Sequence, residues 1–154
     1  MADKLKNVEI AKCKEIGRSC ACYNLRRAAR AITRLYERYL SPSGLKATQF
    51  TALMAAHLRG PITLTKLADL TVTERTTLTR NLNILESKGF LSIEAGRDRR
   101  ERLVTITEKG RETLMAAIPL WEVAQTHIEK GLGKDRLESF LGGLSEITSL
   151  SRNP

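Results

Sequence analysis

Residues 62–91 read ITLTKLADLTVTERTTLTRNLNILESKGFL. Two helical patterns meet at Thr71-Val72-Thr73. The first runs from about Thr63 or Leu64 to Leu70, with a hydroxyl side chain available as N-cap. The second, about 74 to 87, spaces Leu78, Leu82 and Leu85 along one buried face. Gly89 sits where a helix ends in the left-handed conformation, with Phe90 next as the hydrophobic contact. On the opposite side Thr73, Thr76, Thr77 and Arg80 share a polar face flanked by Glu74, Arg75 and Asn81. Four of the seven residues 73–79 are threonine. An ordinary solvated face carries Glu and Lys, which favour helix more than Thr does. Short hydroxyls allow close approach to bases and phosphates, and Arg reads guanine bidentately. These are the needs of a recognition helix lying in a major groove.

Beyond Gly89 the period changes. Leu91, Ile93 and Ala95 alternate, then comes Gly96-Arg97-Asp98-Arg99-Arg100-Glu101-Arg102, then LVTIT. Two short strands around a charged tip make a β-hairpin. Residues 97–102 hold four arginines and two acids. Arginine on a projecting loop enters a minor groove, where the potential is most negative. Asp98 and Glu101 would be repelled by phosphate, so their expected role is to hold the arginines by ion pairs. Taken alone, a self-paired solvated turn explains the tip equally well. A helix-turn-helix followed at once by a basic hairpin is a winged helix.

Outward from this centre, residues 18–40 read as one long helix, with Leu25, Ala28, Ala29, Ile32, Leu35, Tyr36 and Tyr39 recurring at three and four. Arg26, Arg30, Arg34 and Arg38 form a row beside them, and Ser41-Pro42-Ser43-Gly44 breaks the helix. A helix at about 47–58 carries Phe50, Leu53, Met54 and His57 on one face. After the hairpin Thr107 caps a helix to about Lys130, with Leu114, Ile118, Trp121 and Ile128 inward and a kink expected at Pro119. Gly131 and Gly133 break it, and a last helix at about 134–150 carries Leu137, Phe140, Leu141, Leu144 and Ile147. The expected fold is mainly α with a small β-hairpin wing, an α+β winged helix with six helices. Its parts are a helical dimerisation arm at 1–45, a self-contained winged helix-turn-helix lobe at 46–107, and C-terminal helices at 108–154 completing the dimerisation region, all as one structural unit. The terminal helices have wide apolar faces without a partner in their own chain, which calls for a second copy.

Composition agrees. The chain has 154 residues, 26 Lys and Arg against 17 Asp and Glu, and a net charge of +9. That balance suits a polyanionic partner. No stretch approaches the roughly 18 apolar residues of a membrane span, and the opening MADKLKNVEIAKCKE has no apolar leader. Three cysteines, two of them in Cys20-Ala21-Cys22, do not form a disulfide framework, so a reducing cytoplasm is expected. Cys-x-Cys is not zinc spacing and no second pair follows, so neither metal nor cofactor is expected. No Gly-rich phosphate loop, His-rich metal motif or nucleophile elbow points to an enzyme.

The chain resembles the MarR family of winged helix-turn-helix transcriptional regulators. The matching stretches are NLRRAARAITRLYERYL (24–40), GLKATQF (44–50), ITLTKLADL (62–70), TERTTLTRNLNILESKGFL (73–91) and GRDRRERLVTITEKG (96–110). The likeness runs from about Cys20 to Leu150. It implies an obligate homodimer built from the first and last two helices, bound to double-stranded DNA at a pseudo-palindromic operator as a repressor. The helix matching 74–87 would enter the major groove. Arg100, organised by Asp98 and accompanied by Arg97, Arg99 and Arg102, would enter the minor groove. The resemblance also implies a cleft for small aromatic or phenolic anions, with Arg30, Tyr36, Phe50, Met54 and His57 as its lining. Three positions depart from the family pattern. Val72 stands where Gly is frequent, so the turn is expected to avoid the left-handed region. Glu74 stands where Asp is usual, and Lys46 replaces a capping Thr or Ser.

Cys20 and Cys22 lie near Arg18 and Arg26 at a helix start, where cations and the helix terminus stabilise a reactive thiolate. Some relatives sense oxidants with a thiol in this region. The commoner role of a free cysteine is a small apolar packing residue, and the residues leave both roles open. A non-specific architectural winged helix is the remaining alternative.

Overall fold

The computed structural model describes residues 2–96, 98 and 101–152. Its α-helices are α1 (Ala2–Ser19), α2 (Ala21–Leu40), α3 (Ala47–Arg59), α4 (Leu64–Thr71), α5 (Arg75–Ser87), α6 (Glu108–Leu132) and α7 (Lys134–Arg152). A 3₁₀ turn at Ser41–Ser43 joins α2 to α3. Strands β1 (Ile62–Thr63), β2 (Leu91–Ala95) and β3 (Arg102–Ile106) form one antiparallel sheet in the order β1-β3-β2. The fold is the expected mainly helical winged helix.

Two elements lie outside the sequence reading. What reads as one helix from 18 to 40 is preceded by a separate one, α1. The break comes at Cys20, which leaves the helical region at φ −70°, ψ 111°. Asn24 closes the end of α1 by donating from Nδ2 to the carbonyls of Gly17, Arg18 and Cys20 at 3.3, 3.3 and 2.9 Å. The second is β1, whose Ile62 and Thr63 pair with Val104 and Leu103.

The expected lobe is not closed by its own elements. Its core joins Leu53, Leu67, Leu82, Leu85 and Val104 to Leu40 of α2 and to Leu114 and Ala117 of α6. The elements on either side of 46–107 therefore help to seal it. Each fully buried Leu contributes about 1.5–3 kcal/mol relative to exposure.

Local chemistry fixes the corners. Thr63 Oγ1 accepts the Lys66 N–H at 3.2 Å and starts α4. Lys46 has no acceptor to cap α3; instead Gln49, buried, accepts the Lys46 N–H at 3.0 Å. Helix α5 ends in a Schellman motif: the Gly89 N–H donates to Glu86 at 2.8 Å and the Phe90 N–H to Leu85 at 2.9 Å, with Gly89 at φ +73°. Thr107 Oγ1 accepts the Gly110 N–H at 3.0 Å and donates to the Gly89 carbonyl at 2.7 Å. It thereby ties the start of α6 to the end of α5. A Cβ at residue 110 would lie 1.8 Å from the Phe90 carbonyl oxygen, so this approach requires glycine.

The turn between α4 and α5 overturns one expectation. Val72 takes φ 48°, ψ 47°, in the left-handed region. Its N–H donates to Asp69 at 3.3 Å and the Thr73 N–H to Ala68 at 3.0 Å, a second Schellman closure. Two backbone bonds hold a β-branched residue where glycine is easier.

Candidate nucleic-acid interface and effector cleft

Packing turns α5 outward on one side. Leu78, Leu82 and Leu85 are buried, while Arg75, Thr76, Thr77 and Arg80 are exposed. Two ion pairs seen between described residues, Lys12–Glu15 and Glu108–Arg111, involve neither Arg75 nor Arg80. Both guanidiniums lie at the surface, where an anion can reach them. Glu74 is the N-cap but makes no side-chain capping bond, which leaves first-turn N–H groups open to phosphate. Two expected contacts sit differently. Thr73 lies in the turn ahead of the helix, half-buried, with its hydroxyl donating to the Thr71 carbonyl at 3.1 Å. Asn81 is half-buried.

The hairpin stands beside this face. β2 and β3 pair from Leu91–Ile106 to Ala95–Arg102. The tip closes through Gly96 N–H to the Glu101 carbonyl at 3.0 Å and Glu101 N–H to the Asp98 carbonyl at 2.8 Å. A Cβ at residue 96 would meet the Glu101 Cβ at 2.7 Å. Asp98, Glu101 and Arg102 are exposed. Arg97, Arg99 and Arg100, expected at the wing tip, lie outside the described residues. Glu86 near the end of α5 accepts the Ile93 N–H of β2 at 3.0 Å, a direct tether between helix and wing. Nothing in the spacing of the sequence announced that tether.

Between α2, α3 and α6 lies a cleft of about 760 Å³. It brings together four of the five residues expected there, Tyr36, Phe50, Met54 and His57, and adds Ile32, Thr33, Met115, Ile118 and Trp121 among others. Arg30 is not among the lining residues. It belongs to the Arg26–Arg38 row and, at about 100° per residue, points about 120° away from Tyr36 and about 160° away from Ile32; it is exposed. Burial pushes the Tyr36 phenol above its ordinary range, and its hydroxyl donates to Gln125 Oε1 at 2.5 Å. Ile118 and Trp121 had read as core, because helical spacing does not distinguish a core from the wall of a cleft.

Cys20 Sγ accepts the Tyr23 N–H at 3.4 Å as N-cap of α2, and Cys13 and Cys22 are exposed; all three are free thiols. Among the described residues no cluster of His, Cys, Asp and Glu could hold a metal, and no helix is long and apolar enough to cross a membrane.

The MarR family matches residues 45–101, from the start of the lobe to the wing. The transcriptional regulator MosR of M. tuberculosis, solved in complex with DNA, is 38% identical, with a TM-score of 0.76. That likeness covers 87% of this chain and 99% of MosR. The chain belongs to the MarR family. Such proteins are DNA-binding winged helix-turn-helix transcriptional regulators, not enzymes. CouR, a transcriptional repressor solved on a 23-mer DNA duplex, is 25% identical over 86% of this chain and 94% of its own, with a TM-score of 0.77. YwoH of Bacillus subtilis (strain 168), an uncharacterized HTH-type transcriptional regulator, is 29% identical over 90 residues. That match covers 58% of this chain and 66% of YwoH, just under two thirds.

Proposed function

We propose that this MarR-family chain is a sequence-specific repressor, acting as a homodimer on a pseudo-palindromic operator and released by a small molecule bound in the α2–α3–α6 cleft. The observation that carries the DNA reading is the exposed Arg75, Thr76, Thr77 and Arg80 face on a helix whose other side is fully buried. Arg102 and Asp98 stand on the adjoining wing, and Arg97, Arg99 and Arg100 complete it in sequence. MosR and CouR, both solved on DNA, support the same use of the fold.

The dimer reading rests on α7 and its neighbours. Phe140, Leu141 and Ile147 are 47%, 51% and 42% exposed. They belong to an apolar surface that a second copy would cover. In this reading residues 1–45 and 108–154 form the dimerisation region and 46–107 the DNA-binding lobe. Two lobes on a two-fold axis read half-sites about 10 bp apart.

Selection of bound sites from random duplex DNA, followed by footprinting, tests the proposal. A protected palindrome is the expected outcome. Equal retention of all sequences would make the chain an architectural DNA binder. Affinity falls with salt at a log–log slope of about −0.9 for each phosphate neutralised.

One observation favours a second input. Cys20 Sγ caps α2 and Cys22 follows in the first turn of the same helix. Oxidation of Cys20 to a sulfenic acid adds an oxygen to the sulfur that caps the helix and so changes the size and geometry of the cap. Peptide mass spectrometry after peroxide treatment, paired with an operator-binding assay, tests this. Unchanged affinity in the oxidised protein removes the redox reading.

A further inference from the structure

The chain is 28% charged with a net charge of +9, yet among the described residues no Lys, Arg, Asp or Glu lines the α2–α3–α6 cleft. Its walls gather the sole tryptophan, Trp121, the rings of Tyr36 and Phe50, and Met54 and Met115, the two methionines beyond residue 1. Rings offer flat stacking surfaces, and the unbranched thioether of methionine adapts to an irregular guest.

The polar groups of the wall are largely committed. The Tyr36 hydroxyl donates to Gln125, and the Thr51 hydroxyl donates to the Ala47 carbonyl of its own helix at 3.1 Å. His57 is exposed at the edge. A carboxylate placed against these walls would lose water and meet no fixed cation among the described residues of its own chain. Arg30, expected among the lining residues, is not one of them.

We infer that the cleft takes an uncharged, planar, largely apolar molecule with at most one polar edge, rather than an aromatic anion. The inference rests on the effector-cleft reading and narrows its ligand class. A volume of about 760 Å³ is ample for a fused bicyclic ring system.

Equilibrium dialysis of the full chain at pH 7.5 against 2-naphthol and 2-naphthoate separates the two chemistries on one ring system. The expected result is at least tenfold tighter retention of naphthol. Arg30→Ala leaves both affinities unchanged. Met54→Lys, which sets a cation on the exposed rim, narrows or reverses the preference. Naphthoate bound as tightly as naphthol in the unaltered protein overturns the ligand class and leaves the cleft as an effector site. Binding of neither probe to the dimer, with binding recovered in a Leu141→Asp monomer, assigns the cleft to the second copy and overturns the inference. Binding of neither probe to dimer or monomer overturns the effector reading itself.

Discussion

Leucines are spent differently in two parts of this molecule. In the winged lobe Leu53, Leu67, Leu82 and Leu85 show no exposed surface. In α7 Leu141 is 51% and Leu150 71% exposed. Helical periodicity is clear in both parts, so periodicity alone does not decide burial. In the lobe α3, α4, α5 and the sheet close on each other, and the end of α2 and the start of α6 seal them. Helix α7 has no such enclosure. Its apolar stripe faces a cavity of about 690 Å³ shared with α2 and α6, lined by Leu25, Phe140 and Leu144 among others. One region is closed on every side once α2 and α6 are added, and the other holds an apolar face that, in the proposed dimer, a second chain would bury.

The sharpest way to break this contrast is to charge the open face. Leu141→Asp is expected to give a monomer in sedimentation equilibrium with the lobe still folded. Losing the second lobe removes the effective concentration it supplies, so operator affinity should fall by about 10²–10⁴-fold. A dimer that survives the substitution would show that α7 does not form the interface.

The closed region is probed by Gly110→Ala. The added Cβ would stand 1.8 Å from the Phe90 carbonyl oxygen, which is backbone and cannot swing aside. The seam between α5 and α6 must open, at a cost of about 3 kcal/mol in urea unfolding. A loss below about 1 kcal/mol would mean that the seam is looser than its hydrogen bonds indicate.

On the outer face of the same lobe the effect shifts from stability to recognition. Arg80→Ala should leave oligomeric state and melting temperature alone and weaken operator binding by about 1–3 kcal/mol, relaxing preference at one base pair. An equal loss on every sequence would make Arg80 a phosphate contact.

What the sequence disclosed follows the same division. Leu78, Leu82 and Leu85, Gly89 with Phe90, and Thr107 were legible because each element's own pattern agrees with its tertiary setting. Helix α1 was not, since its described apolar residues Ile10 and Ile16 are 48% and 50% exposed and Lys and Glu surround them. Two residues are too few for β1 to show a period, and pairing with β3 alone makes it a strand. Of the five residues that the resemblance implied for the cleft, Tyr36, Phe50, Met54 and His57 line it and Arg30 does not, because at about 100° per residue Arg30 points to another side of α2 than Ile32 and Tyr36. The Glu86–Ile93 tether joins a side chain to a backbone N–H, and no residue pattern encodes such a bond.

The smallest expected effect lies where the lobe works against itself. Helices α4 and α5 both end in Schellman closures, one through Val72 at φ 48° and the other through Gly89 at φ +73°. Left-handed backbone costs a non-glycine residue roughly 1–2 kcal/mol, and β-branching makes it less comfortable still. Val72 is 63% exposed, so its side chain repays little of this by packing. Val72→Gly relieves the strain but frees the unfolded chain, which takes back about 0.4–1 kcal/mol. The balance is a gain of about 1 kcal/mol, or roughly 2–4 °C in melting temperature for a chain of this size. A destabilised Val72→Gly protein would show that the valine side chain contributes packing beyond its exposed position. A stabilised one would show that the turn between the two helices carries backbone strain which the buried leucines on either side are strong enough to hold.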